Sequence, residues 1–434
     1  MTSKLLLEAS TSARFLTRNC ARIQDYLVET ALALKTRGTG VIQSSCGRKA
    51  DLQPHPVLAV FVVLILLASG CGSIRIQRTL AHKPYDWLTY GGAPSRTNES
   101  SSTVMPPLKP IWEYDALAGI SGSPLVRDSV VLVGTLRGEL HAINIVTGDR
   151  MGYAVMESAV SGTPVWDEGY VYVACALGTE SLLCMSLREG TRKWTGKYGP
   201  IETSPLVVGE FLYVVTLDGV LECLKKADGL EFWKYEFAEK ELRQPVRSSP
   251  ATDGEVIVFG SDGGGIYAVE RLSGKLRWKY QATASIFATP VLSRGVCVVG
   301  AIDGVLYALD MRTGELRWKY ETGTRIFAPA AATQNQVFIG TADGKVTALS
   351  LESGKKLWSF SCRSVVSCAP LVAGDILYVG SQDRNLYALR VATGEKIWQY
   401  EAPGRIKVSP VIWGDAMLLT YEDRYITALK TAKQ

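Results

Sequence analysis

The sequence predicts an all-β fold: an eight-bladed β-propeller with four-stranded antiparallel blades, closed by an N-terminal strand that completes the last blade. Three series of residues carry this expectation. The first is a Trp marker at 112, 194, 233, 278, 318, 358 and 398, with Gly152 in the copy that lacks it. The successive spacings are 40, 42, 39, 45, 40, 40 and 40. The second is a small residue in the preceding strand: Ala142, Cys184, Cys223, Ala268, Ala308, Ala348, Ala388 and Ala428. The third is a Pro at 124, 164, 205, 250, 290, 370 and 410, with Pro329 one place out of register. All three agree on a period near 40, the length of one four-stranded blade.

Within each period the local chemistry reads as short strands. Pro410-Val411-Ile412 and Met417-Leu418-Leu419-Thr420 are β-prone runs around Trp413-Gly414-Asp415. Ile376-Leu377-Tyr378-Val379 and Leu386-Tyr387-Ala388-Leu389 flank a polar turn. Asp-Gly pairs at 218, 303 and 343 suit tight hairpins, because Gly adopts positive φ freely. Thr-Gly or Ser-Gly at 147, 273, 313, 353 and 393 marks the turn into the outer strand. No convincing helical period interrupts the copies. The last copy ends near Leu429 without a Trp strand, and Ile111-Trp112-Glu113-Tyr114 is a Trp strand with no copy before it. Joining the two completes an eighth blade and protects strand edges that an open array would expose. The Trp side chains are expected to pack between blades. Gly152 predicts a looser first full blade.

Hydrophobic residues make up 47% of the chain, ample for such a core. The net charge is +5, yet acidic and basic residues alternate along the copies, as in Glu315-Leu316-Arg317-Trp318-Lys319. A mixed surface of this kind argues against nucleic-acid binding. Residues 57–68, VLAVFVVLILLA, form a twelve-residue apolar run behind Arg48, Lys49 and His55. A membrane-spanning helix needs roughly 20 apolar residues, so the run fits a signal peptide instead. It ends in Leu67-Ala68-Ser69-Gly70-Cys71, which resembles a bacterial lipobox with Cys71 as the lipidated residue. The expected division is 1–70 as an N-terminal extension and signal peptide, 71–107 as a lipidated tether and leader, and 108–434 as the propeller. The Ser-, Thr- and Pro-rich composition of the leader suggests a tether.

The copies at 301–320, 341–360 and 381–400 are similar to the PQQ-like propeller repeat, AxDGxLYALDxxTGxxxWxY. The segment Trp87 to Asn98 resembles the Trp-x-x-Tyr-Gly-Gly-x-x-x-Arg opening common in that superfamily. Lipobox, leader and single propeller together resemble the BamB family of outer-membrane assembly lipoproteins. That resemblance implies a non-catalytic scaffold at the outer membrane, lipid-anchored and facing the periplasm. It implies a barrel-assembly protein of the BamA kind as partner. The alternative is a quinone (PQQ)-binding or PQQ-dependent oxidoreductase, or a periplasmic propeller for another ligand.

The residues argue against catalysis. PQQ-dependent dehydrogenases carry an adjacent Cys-Cys pair, and this chain has none. Its propeller histidine, His141, stands where other copies have Tyr267, Tyr307 and Tyr387, so a structural role is expected. No zinc-ligand spacing or calcium loop is present, and no cofactor is expected. The cysteines at 175, 184, 223 and 368 take small-residue positions; Cys362 and Cys368 are the one pair close enough in sequence to invite a bridge, and a disulfide framework is not expected. One connection is enlarged. Trp233 to Pro250 spans 17 positions where Trp278 to Pro290 spans 12. Insertions on a rigid scaffold are common binding sites. In BamB-like proteins the corresponding connection contacts BamA, which implies Leu242, Arg243 and Arg247 as partner-binding residues. The run before the Pro is typically acidic there; Pro245 and Arg247 depart from that pattern, while Val246 and Pro250 match.

Overall fold

The computed structural model describes residues 73–236 and 245–432. These residues build eight antiparallel sheets, each running outward from a short inner strand to an outer one. Blades 1 to 7 occupy 125–155, 165–196, 206–236, 251–281, 291–321, 331–361 and 371–401. Blade 8 contains Val411–Trp413, Ala416–Tyr421 and Tyr425–Thr431, and its outer strand is Leu108–Asp115 from the other end of the chain. The ring therefore closes as its repeat count requires. Blade 7 gains a fifth strand, Glu99–Ser100, parallel to its inner strand Leu371–Ala373.

Register explains the first two series. Every marker position lies directly opposite its small residue across the outer ladder: Trp112 opposite Ala428, Trp278 opposite Ala268, Trp318 opposite Ala308. The outer ladder bulges beside that pair in each blade, and the closing strand repeats the bulge between Pro110 and Trp112. A small partner leaves room for the indole to reach the next blade. Trp278 donates its Nε1–H to Met311 O at 2.8 Å, and Trp318 donates to Leu351 O at 2.9 Å. Trp112 makes the equivalent bond from blade 8 to Ile145 O in blade 1, at 2.7 Å. The Thr-Gly turn of the next blade lies flat on the ring. A Cβ on Gly314 would come within 2.7 Å of the Trp278 indole.

A fourth series sits four residues before the Pro, or three before the displaced Pro329: Ile120, Val160, Ile201, Val246, Ile286, Ile326, Val366 and Ile406, none more than 2% exposed. Each wedges between two blades. Gly260 ends the second strand of blade 4, and a Cβ there would lie 2.1 Å from Ile286 Cγ2. Such branched-chain contacts bury apolar surface between neighbouring blades.

Two expectations are corrected. Residues 73–107 are no free tether in the structure. Trp87 exchanges backbone bonds with Val126 of blade 1, and Leu88 O accepts from Trp166 N of blade 2. Pro94, Ser95, Thr97 and Asn98 carbonyls accept from Thr252, Leu292, Ala332 and Val372 of blades 4 to 7 at 2.9–3.0 Å. Asp86 accepts from Trp413 Nε1 of blade 8 at 2.9 Å. The segment crosses one end of the ring and satisfies inner-strand N–H groups that would otherwise lack partners. Nor is blade 1 loose at Gly152. Ser73 and Ile74 occupy the groove where an indole would lie, with Ile74 1% exposed.

Candidate functional site

The central channel is a cup. Its floor includes Tyr90, from the leader. Arg96 anchors that floor: it is fully buried, with Nε donating to Pro250 O at 3.0 Å and Nη2 to Pro205 O at 3.2 Å. Its Nη1 donates to Thr89 Oγ1 at 2.6 Å and Tyr90 O at 2.7 Å. Burial pulls the Arg96 pKa down to about 9, which still leaves it charged at neutral pH, and burial pushes Tyr90 up to about 12. The leader motif therefore works through a cation that ties the plug to blades 3 and 4.

The wall above the floor is polar. The residue before each Pro is Ser123, Thr163, Ser204, Ser249 and Thr289 in blades 1 to 5. These form a relay in which each backbone N–H donates to the next blade's hydroxyl: Ser123 N to Thr163 Oγ1, Thr163 N to Ser204 Oγ, Ser204 N to Ser249 Oγ and Ser249 N to Thr289 Oγ1, at 2.8–3.3 Å. The relay stops at Pro329 and Ala369, which have no hydroxyl to offer.

Three residues before the Pro, or two before the displaced Pro329, lies the mouth: Ser121, Ser161, Glu202, Arg247, Phe287, Phe327, Ser367 and Lys407. The open cavity measures about 230 Å³. Blades 4 to 6 give it a distinct side. The Arg247 guanidinium lies over the Phe287 ring, 5.6 Å from its centroid, and pairs with Asp262 and with Glu202 at 3.8 Å. Burial pushes the Asp262 carboxyl up, with Arg247 pulling it back. Phe327 beside them is 41% exposed. Lys407 pairs with Asp423 at 2.7 Å. Two phenylalanines, an arginine and a rim of hydroxyls thus line the mouth.

Arg247, expected to contact a partner, thus lines the mouth. Leu242 and Arg243 lie outside the described residues, as does Cys71. Phe287 and Phe327 escaped the sequence reading, although both stand nine residues after a Trp marker, Trp278 and Trp318. His141 is held between Tyr114 and Glu139, with Nδ1 2.8 Å from Tyr114 Oη and Nε2 2.8 Å from Glu139 Oε2. Burial lowers its pKa, with Glu139 opposing. It is a buried network residue away from the cup. The six described cysteines are all free and buried, Cys362 and Cys368 among them. Among the described residues no group of three or more His, Cys, Asp or Glu side chains is placed to hold a metal.

This architecture defines a closed eight-bladed propeller of the PQQ-like repeat class. The family model described as Outer membrane protein assembly factor BamB matches residues 111–235, 236–364 and 323–433. The chain belongs to that family. It is 29% identical over 155 residues to the Outer membrane protein assembly factor BamB of Marinobacter adhaerens, a match covering 35% of this chain. The chain spans 38% of that relative's length. Among solved structures, BamB from Moraxella catarrhalis superposes with a TM-score of 0.62 at 17% identity, over 74% of this chain and 99% of that one. Quinohemoprotein alcohol dehydrogenase from Comamonas testosteroni superposes with a TM-score of 0.69 at 14% identity, over 82% of each chain. At such identities both superpositions speak for the fold alone.

Proposed function

We propose that this chain is a non-catalytic scaffold lipoprotein that assists the assembly of outer-membrane β-barrel proteins through protein–protein contacts. In this reading Cys71 carries the lipid, the ring faces the periplasm, and the partner is a barrel-assembly protein of the BamA kind. Membership of the family supports the role. The observation that carries the contact site is the Arg247–Phe287–Phe327 side of the mouth, whose Arg247 follows the enlarged connection in sequence. Rigid aromatic and guanidinium groups at the centre of a polar rim dominate most protein interfaces.

Co-purification from solubilised outer membranes tests this. The wild-type chain should bring down a barrel-assembly protein, and Arg247→Glu should cut recovery about tenfold or more, the effect of losing roughly 1.4 kcal/mol. Recovery of the chain alone, together with dye reduction on adding PQQ and calcium, would favour the oxidoreductase reading instead.

A further inference from the structure

The leader enters the ring at the one place where the Trp series is broken. Seven marker positions hold an indole; blade 1 has Gly152. The backbone of the leader takes the vacant site. Ser73 O lies 2.7 Å from where a Gly152 Cβ would stand, so any side chain at 152 would displace it. Ile74 fills the groove, and Ile76 is 5% exposed beside it. Ile76 N donates to Leu187 O at 2.8 Å. Leu187 stands three residues before Gly190, as Met311 stands three before Gly314, so this carbonyl is the one that receives a Trp Nε1–H elsewhere in the ring. Gly190, whose counterparts lie on indoles, lies against Ile74 O and Arg75. Both the packing and the hydrogen bond of the missing Trp are thus supplied by residues 73–76.

We propose that the rim between blades 1 and 2 is the surface on which this propeller rests against a lipid bilayer. The inference depends on the lipidation of Cys71 in the proposed function above. Two residues of extended chain reach roughly 7 Å, so acyl chains on Cys71 would start beside the rim with no slack. The rim itself suits a bilayer. Met151 and Val155, on the outer strand Arg150–Val155, are 42% and 56% exposed. Around them Arg75, Arg150 and Arg188 are exposed and none pairs with a carboxylate among the described residues, although the Arg150 guanidinium lies over the Tyr153 ring, 5.1 Å from its centroid. Apolar side chains flanked by exposed cations match the acyl boundary and phosphates of a membrane surface. The leader, clamped as a substitute for a core residue, would therefore fix the azimuth of the ring, with blades 1 and 2 down and blades 5 and 6 away from the lipid.

The test uses the full lipidated chain in vesicles of phosphatidylethanolamine and phosphatidylglycerol that carry a spin-labelled lipid. Met151→Cys and Leu316→Cys each receive an environment-sensitive fluorophore; both sites are exposed, and the six described native cysteines are buried. Quenching at 151 should exceed quenching at 316, across the ring in blade 5, by threefold or more. Ile74→Ser should bring 151 down to the level of 316. Equal quenching at the two sites, with mass spectrometry showing an acylated Cys71, overturns this inference and leaves the anchor intact. A chain without acyl groups removes the anchor and the inference together.

Discussion

At the residue scale, two positions show how single side chains deviate from the repeat and what compensates them. Gly152 is compensated from outside its own blade. Ile74→Ala should cost about 2–5 kcal/mol, the usual range for truncating a buried aliphatic side chain. Adding Gly152→Trp to that variant should restore at least half of the loss, because the Gly190 turn and the Leu187 carbonyl are already placed for an indole. Thermal unfolding of the three chains checks this; a double variant weaker than Ile74→Ala would contradict it. Glu222 is not compensated. It stands in blade 3 where Leu183 stands in blade 2, it is buried, and its Oε2 has no hydrogen-bond partner. Burial raises its pKa from 4.5 to about 7, with Glu231 adding to the shift. The folded chain therefore holds a proton that the unfolded chain releases between pH 4.5 and 7. That contribution to stability is complete below pH 4.5 and is lost as pH rises through 7. Glu222→Leu should stabilise the protein at pH 8 by roughly 1–3 kcal/mol, the cost of an unpaired buried acceptor, and by less at pH 5. Denaturant melts at the two pH values decide it.

At the scale of the strand and blade, most of the design was legible. The Trp, small-residue and Pro series each report a contact that the structure contains: indole to next blade, small partner opposite the indole, inner-strand start. The wedge series was present in the sequence in the same register but reads as ordinary strand hydrophobicity until its receiving glycine is seen. That pairing makes a sharp prediction. Gly260→Ala should destabilise by about 1–3 kcal/mol through overpacking on Ile286. Combined with Ile286→Ala, the two losses should fall short of their sum by more than 0.5 kcal/mol in a double-mutant cycle, since one vacates the space the other needs. Additive losses would mean that the wedge and the glycine do not share a contact. The leader was the illegible element. Its composition is that of a linker, and its bonds to the blades come mainly from backbone carbonyls, which leave no side-chain signature. Only the motif from Trp87 to Asn98 marked it. Arg96 reaches two blades, and Asn98 donates to Ala330 O at 3.1 Å.

At the scale of the whole molecule, closure does two jobs. The pairing of Leu108–Asp115 with Tyr425–Thr431 removes the free edges of the ring. The leader then covers one end, so among the described residues the channel opens at the other. The floor is held by Arg96 and the wall by the hydroxyl relay, while blades 4 to 6 supply the aromatic and cationic side of the mouth. The channel wall could be placed from the Pro series alone. The identity of its rim could not, because residues three before the Pro vary from Ser to Phe to Lys and only the folded ring brings them side by side. Photocrosslinking is the most direct measurement of this account. With a photoreactive residue replacing Phe327 in the membrane-bound chain, illumination should yield an adduct with a barrel-assembly protein, while the same residue at Leu276 on the outer strand of blade 4 should not. An adduct from 276 and none from 327 would contradict the claim that the mouth is the working surface.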